Sequence, residues 1–426
     1  MLIPRKYFAV NWVHGMKLTE RHLLDADLHL QDMVRDALSL SLTSYNFGLL
    51  PPFPGAGSSL DISLEQEPGG VLLVRVQRCN AVTAGGCRIS IDAESAARSG
   101  HVLTQKLHVQ EEGAVPDEAA SSTALTYHVV LRVNPFQQVA IGVPDLEESP
   151  LRHPYTEARY ELFVARASDP GQAAGAGSLV PEQLGGFELV VGRVQQQGGQ
   201  YQIDETFIPP SASMMSHPRL VYYHKRFEHM LDKLRNDSLA LVAAIRQGQQ
   251  TWPLARNIEF MSIKLLEYLG QVLFNFRNQD RYQPPVTMLD HFNNLASLLQ
   301  TSLYCLVGSE KQAVLDYFSD LTEFAYQSQY GHLADQVSTP KRVGALELEA
   351  MLEQLVALDY NHQEISKSME LADRFLVVLS TIWDRLNKAD SVGRPVNMPF
   401  LVQQLPGDPD EASTSGGIIS LLFGRK

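Results

Sequence analysis

A chain of 426 residues with 44% hydrophobic content has the length of roughly two to four domains and the composition of ordinary globular ones. Its formal net charge of −13, from 35 basic against 48 acidic side chains, and the lack of any basic run argue against nucleic acid and against a polybasic membrane-surface role, since both need positive charge to meet phosphate. No stretch approaches about 18 consecutive apolar residues and the first six residues lack a signal-peptide core, so the expectation is a cytoplasmic chain without direct membrane insertion.

In chain order, Tyr7-Phe8-Ala9-Val10 reads as a short strand running into Asn11-Trp12-Val13-His14-Gly15-Met16. A helix follows from Thr19 or Glu20 to about Ser44, carrying Leu23, Leu24, Leu28, Leu30, Met33, Val34, Leu38 and Leu42. His22, Asp25 and His29 share one face of it at three- and four-residue steps that could invite a metal, but no fourth ligand is visible and a polar helix face explains them, so no metal is expected. From Leu60 to Ile203 the period is two. Strands are predicted over Leu60–Leu64, Val71–Val76, Arg88–Ile91, Thr126–Val133, Arg159–Arg166, Phe187–Val194 and Tyr201–Ile203, with loops over Glu111–Ser122 and Asp169–Ser178. Short strands with Gly- and Pro-rich turns suggest an antiparallel β-sandwich. Cys79 and Cys87 flank a Gly-containing turn across which they could face each other; buried free thiols are the expectation.

The chain changes character between Phe207 and Gln247. Pro209-Pro210 ends the last strand-like run, and helical period begins near Pro218. Phe227, Leu231, Leu234, Leu241 and Ile245 fall on three- and four-residue steps, with Ser238 as the polar member, in a helix about 44 Å long at about 1.5 Å per residue. Further helices are predicted from Thr251 through Phe276, from Met288 to Leu306 behind a Thr287/Asp290 capping box, from Glu310 to Tyr330, from Ala345 to Tyr360 and from Ile365 to Leu386. The last carries an unbroken seam of Ile365, Met369, Ala372, Leu376, Leu379, Trp383 and Leu386. The fold class is thus α+β and multidomain: a β-sandwich with one N-terminal helix over 1–208, a helical neck over 209–307, a mainly helical head over 308–395 and a flexible tail over 396–426. The tail ends in an apolar cluster, Ile418, Ile419, Leu421, Leu422 and Phe423, which is either a docking peptide on a tether or a segment that folds back on its own domain.

Signatures of catalysis are absent: no GxSxG, phosphate loop, HExxH, or GxGxxG after a strand occurs. Asp145, Glu147 and Glu148 read as a solvated acidic turn rather than paired catalytic acids. No enzyme activity and no cofactor are expected.

Three segments carry a family resemblance. Val10-Asn11-Trp12-Val13-His14-Gly15-Met16-Lys17-Leu18, followed by Arg21-His22-Leu23, resembles the opening of the TssK family, baseplate proteins of bacterial type VI secretion systems, with His14 where the family usually has Glu and Leu23 where it usually has Phe. Phe207-Ile208-Pro209-Pro210 with the helix from Pro218 is similar to the family's passage from shoulder to neck. Leu266 to Phe276, with Leu289-Asp290-His291-Phe292 downstream, is similar to its neck helices. The resemblance covers about residues 7 to 305 and implies a homotrimer. Its shoulder, bearing Trp12, Gly15, Met16 and His22, would meet the TssF/TssG wedge, and its head the TssJ, TssL and TssM membrane complex at the inner face of the inner membrane. Phe227, Leu231, Leu234, Leu241 and Ile245 would pack the neck, within the protomer or across the threefold axis. The departure is in the head, which in the family mixes helices with strands and here reads as helix throughout. The alternatives are a phage-type receptor-binding or adsorption protein and a carbohydrate-binding or enzymatic sandwich module, the latter requiring a pocket of converging polar groups.

Overall fold

The computed structural model describes residues 2–67, 71–92, 103–108, 125–167, 178–179, 184–197, 200–322, 343–389 and 391–392. The tail from 396 onward, the predicted loop 111–122 and all but Ser178 of the predicted loop 169–178 lie outside them.

The N-terminal segment is not a strand. The amides of Lys6 and Tyr7, which a strand would offer to a neighbour, are donated to the carboxylate of Asp32 at 2.5 and 2.9 Å. The first helix, α1 (Glu20–Ser39), stops five residues short of the expected end. The hydroxyls of Ser39 and Ser41 bond back to Asp36 O and Leu38 O, and Asn46 takes up Thr43 N–H and Ser41 O, so side chains replace the next helical turn.

Two five-stranded sheets follow. The first comprises β1 (Gly48–Leu49), β2 (Leu60–Glu67), β3 (Val71–Val82), β4 (Arg88–Ile91) and β5 (Leu103–His108), with β3 pairing to the other four. The second has β6 (Leu125–Ile141), β7 (Tyr155–Ala167), β8 (Ser178–Leu179), β9 (Glu188–Gln197) and β10 (Gln200–Ile203), in the order β10-β9-β6-β7-β8. All pairs are antiparallel except β7 with β8. Alternate residues of both sheets, Leu72, Val74 and Val76 from one and Val129, Leu131 and Val133 from the other, form a single buried cluster, as period two requires when each sheet keeps one face for the core. β3 runs six residues beyond the predicted Val76: a register shift opposite Asp61/Ile62 leaves Gln77 unpaired and resets the parity, so that Cys79 and Ala81 face the core. β6 passes the predicted Val133 by shifting register between Asn134 and Gln138. Cys79 lies opposite Ile91, not Cys87; both thiols are free and buried, and burial pushes each up to about 12.

The helical half contains α2 (Pro218–Gln247), α3 (Pro253–Asn278), α4 (Pro285–Tyr304), α5 (Glu310–Thr322), α6 (Ala345–Val356) and α7 (Ile365–Lys388). Three starts sit on proline at the first turn, where the missing N–H costs nothing. That corrects two expectations: Trp252, not Thr251, caps α3, and α4 opens at Pro285, leaving Thr287 and Asp290 inside the helix. α6 ends at Val356 rather than Tyr360, where Asn293 donates to the last carbonyls of the helix, those of Leu355 and Val356. The stretch predicted helical beyond Thr322 lies outside the described residues.

Polar contacts fix the helix directions. Arg246 reaches Glu259 at one end of the α2–α3 pair, and Arg277 reaches Asp232 and Glu228 toward the other, so these two run antiparallel. Arg226 pairs with Asp373 and Lys233 with Asp384, so α7, from the far end of the chain, lies parallel to α2. All seven seam residues of α7 are buried. One buried cluster runs from Ile208 to Val392 and includes residues on both sides of position 308, Leu303 and Val314 among them.

Candidate interaction surface and junction

The Trp12, Gly15, Met16 and His22 motif lies on an arm at the surface. Gly15 has φ +82°, the left-handed conformation that turns the chain between Val13 and Met16, and the Met16 amide closes the turn on Val13 O at 3.1 Å. His22 occupies the third position of α1, where its Nδ1 accepts from the Thr19 amide at 3.3 Å, and its ring stands edge-on to Trp12 at 6.2 Å. The structure therefore brings Trp12 and His22 together and leaves Trp12 about half exposed. His22 and His29 each have a ring nitrogen committed, His29 to Tyr7 O, and among the described residues no three His, Cys, Asp or Glu side chains gather as a metal site.

Beneath the arm is a feature that periodicity did not reveal. α1 buries Asp32, Arg35 and Ser39 and exposes Leu23, Leu24, Leu30, Met33, Val34 and Leu38. The side of the helix turned inward is thus polar. Asp32 takes the two arm amides and Arg35 Nε at 2.8 Å, while Arg35 donates to Ile3 O and, across to the β3–β4 turn, Gly85 O. Burial alone would raise the Asp32 carboxyl; the Tyr7 amide, Arg35 and the Lys6 amide outweigh it and hold it below its ordinary range. Gly86 sits so close to α1 that a Cβ would come within 2.5 Å of Arg35 O. Asp32 and Arg35 lie three residues apart in the sequence, but their backbone partners at Ile3, Lys6, Tyr7 and Gly85 are remote, and no local pattern marks them.

The sandwich and the helices keep separate buried clusters, and between them runs a hydrogen-bonded joint. Leu49 N–H donates to Pro210 O and Ala212 N–H to Leu49 O. Ser366, at the start of α7, donates to Thr206 O and accepts from Ile208 N–H, and His362 Nε2–H donates to Phe47 O at 2.9 Å while Tyr360 O–H donates to its Nδ1 at 2.7 Å. Burial lowers His362 to about 4, and does the same to His217, the α2 cap, beside Arg219. Gly48, at φ +105°, has no space for a side chain: a Cβ would overlap the Pro210 carbonyl.

Phe227, Leu231, Leu234, Leu241 and Ile245 are all buried by the chain's own helices. Asp145, Glu147 and Glu148 form an exposed turn, with Glu148 paired to Arg152. Ile418, Ile419, Leu421, Leu422 and Phe423 lie outside the described residues. A cavity of about 40 Å³ among the α3–α7 side chains is lined by apolar residues, Phe318, Phe375 and Trp383 among them, and offers nothing for a sugar to bond. No helix among the described residues is long and apolar enough to cross a membrane.

No family model and no curated protein matches the chain. Among solved structures it is similar to the crystal structure of TssK, at 14% identity over 86% of this chain and 69% of that one, with a TM-score of 0.45. It is also similar to the baseplate complex from the type VI secretion system, at 15% identity over 71% of this chain and 91% of that one, TM-score 0.42. A third is the TssK-TssF-TssG baseplate subcomplex of that system, seen by cryo-electron microscopy, at 13% identity over 90% and 100%, TM-score 0.41.

Proposed function

We propose that this chain is a structural adaptor of a type VI secretion baseplate, acting in the cytoplasm as a homotrimer. The observation that carries the reading is the arrangement of the three TssK-like segments. The first lies on a surface arm held by Asp32, the second forms the joint, and the third lies in the helices that the joint connects. The division assigned is shoulder 1–208, neck 209–307, head 308–395 and tail 396–426. The arm, through Trp12, Gly15, Met16 and His22, faces the TssF/TssG wedge. The head faces the TssJ, TssL and TssM complex at the inner membrane, and the tail cluster from Ile418 to Phe423 docks on a partner.

An adaptor of this kind works by geometry rather than by chemistry, and no catalytic step is assigned to it. Its partners must be held at fixed positions relative to one another, which a joint of backbone hydrogen bonds closed by Ser366 and His362 supports. The trimer does not draw on Phe227, Leu231, Leu234, Leu241 or Ile245, which are already covered.

Two measurements test the reading. Light scattering coupled to gel filtration should give about three times the 47.4 kDa chain mass. Co-purification should recover TssF and TssG with the wild-type chain and lose them on Trp12→Ala, with the mass unchanged. A chain that is monomeric at every concentration and recovers neither wedge protein would remove the proposal.

A further inference from the structure

β6 and β7 outrun their sheet. β9 pairs with β6 only as far as Arg132, so over 133–141 the strand has β7, over 155–160, as its neighbour. At about 3.4 Å per residue that length of β7 carries the turn at 142–154 about 17 Å past the end of β9. A two-stranded ribbon is marginal alone. This one is buttressed at its base, where Phe136 packs on Tyr7 with ring centroids 5.0 Å apart and Gln138 donates to Gln31 of α1 at 2.9 Å.

The turn beyond is set by its own bonds. Asp145 Oδ1 accepts from Glu147 N–H at 2.9 Å, Arg152 pairs with Glu148 at 2.9 Å, and His153 Nδ1–H donates to Gly142 O at 2.7 Å. Gly142 itself, at φ +95°, leaves no room for a Cβ, which would stand 2.7 Å from the Pro154 ring. What this frame holds in water is apolar. Val143 and Leu146 are 87% and 88% exposed, the highest values of any large hydrophobic side chain described, and Leu151 and Tyr155 are more than half exposed. Turns ordinarily place Gly, Asn, Asp or Ser in such positions, and surface hydrophobics are unremarked only when they are scattered singly.

We propose that this tip is a docking knob: Val143, Leu146 and Leu151 enter an apolar pocket of a different protein, and Asp145 and Glu147 meet Lys or Arg on the rim of that pocket. Shape asks for a concave partner, because a convex tip buries its side chains only in a hollow. Charge selects which one. Residues 142–155 hold three carboxylates against one arginine, and Arg152 is taken by Glu148, so Asp145 and Glu147 meet an incoming surface as net negative charge. A phosphate surface, whether lipid or nucleic acid, repels such a tip. A second copy is as poor a match, since the chain carries −13 overall and has no basic run to set against it.

The experiment places a photo-crosslinking residue at the tip of the full chain, Leu146→benzoylphenylalanine, in the cells that make it, with Gln271→benzoylphenylalanine on the exposed side of α3 as the control. Irradiation should give one main protein adduct from position 146 that is missing from 271, and the cross-linked peptide should combine apolar residues with neighbouring Lys or Arg. Adding Asp145→Lys/Glu147→Lys should cut the adduct at least about 10-fold, and exchanging the partner's neighbouring Lys or Arg for Glu should restore it. All the substituted side chains are exposed, so circular dichroism should show the wild-type signal in each variant. No adduct above the control, an adduct between two copies of this chain, an adduct indifferent to the charge reversal, or a charge exchange that restores nothing would each overturn the proposal. The outcome is separate from the baseplate reading: the adduct is judged by its residues, and a chain that recovers neither wedge protein can still give it.

Discussion

α1 and α7 are helices of similar length and similar apolar periodicity, placed in opposite ways. α7 turns Ile365, Met369, Ala372, Leu376, Leu379, Trp383 and Leu386 into the protein and leaves its charges at the margin. α1 turns Asp32, Arg35 and Ser39 inward and leaves its leucines outside. A hydrophobic stripe therefore says that a helix needs a partner and not where the partner is. α7 finds it within the chain. For α1, the inward side is decided by polar groups with several remote bonds to satisfy, which hold an orientation more firmly than apolar contact can, since apolar contact has no direction.

The largest expected effects break each helix on its buried side. Asp32→Ala should cost about 3–5 kcal/mol in urea unfolding, because Arg35 would remain buried without its carboxylate and two arm amides would lose their acceptor. Phe227→Ala, in the apolar seam that α7 packs against, should cost about as much, 3–5 kcal/mol, through the cavity it leaves. Equal losses from a charge in one half and an apolar ring in the other would make the comparison quantitative. A loss below about 1 kcal/mol for Asp32→Ala would mean that the polar face is incidental.

Next in size is acid. His362 and His217 are held neutral, near 4 against an ordinary value of 6.5, so the unfolded chain binds more protons than the folded one between those values. The stability each contributes is whole above about 6.5 and falls as pH drops toward 4, by about 2 kcal/mol per residue at pH 5. His362→Phe should flatten the pH dependence of the unfolding midpoint between 6.5 and 5 by roughly its share. An unchanged slope would show that His362 does not titrate in the joint.

The smallest effect is the control. Val34→Ser on the outer face of α1 should change the stability of the isolated chain by no more than about 0.5 kcal/mol, since nothing in the chain covers it. A denaturation curve for dilute protein that moved further would show that the stripe packs intramolecularly.

Much of the architecture is legible in local pattern. The near-continuous apolar run of Val71–Val76 and the alternation in Arg88–Ile91 mark core strands, and the seven-residue seam of α7 marks a buried helix, because apolar runs and periodic geometry are displayed in the sequence. The boundaries were less legible. Val82 ends β3 and Ser39 ends α1 for reasons that involve partners elsewhere, or side chains that compete with the backbone. The arm motif was visible as a resemblance, and its Trp12–His22 contact follows from the helix start that places His22. The joint was visible only as Pro209-Pro210. Its other members, Phe47, His362 and Ser366, are brought in from distant segments, and a lone histidine between Asn361 and Gln363 carries no sign that both its nitrogens will be used.

The parallel course of α7 along α2 has a consequence for how the molecule is made. Its first residues close the joint against Phe47 and Ile208, partners separated from His362 and Ser366 by 315 and 158 positions, and Val392 beyond its end bonds Gln250. A ribosome must release nearly the whole polypeptide before either closure can form. The sandwich, whose pairings are near in sequence by comparison, can assemble during translation, while α2, covered on one side by α3 and α4, waits with its other side open for a strut that arrives last. High contact order of this kind slows folding. Chains arrested before residue 360 should therefore gather on chaperones with the helical half exposed and the sandwich already protected from protease.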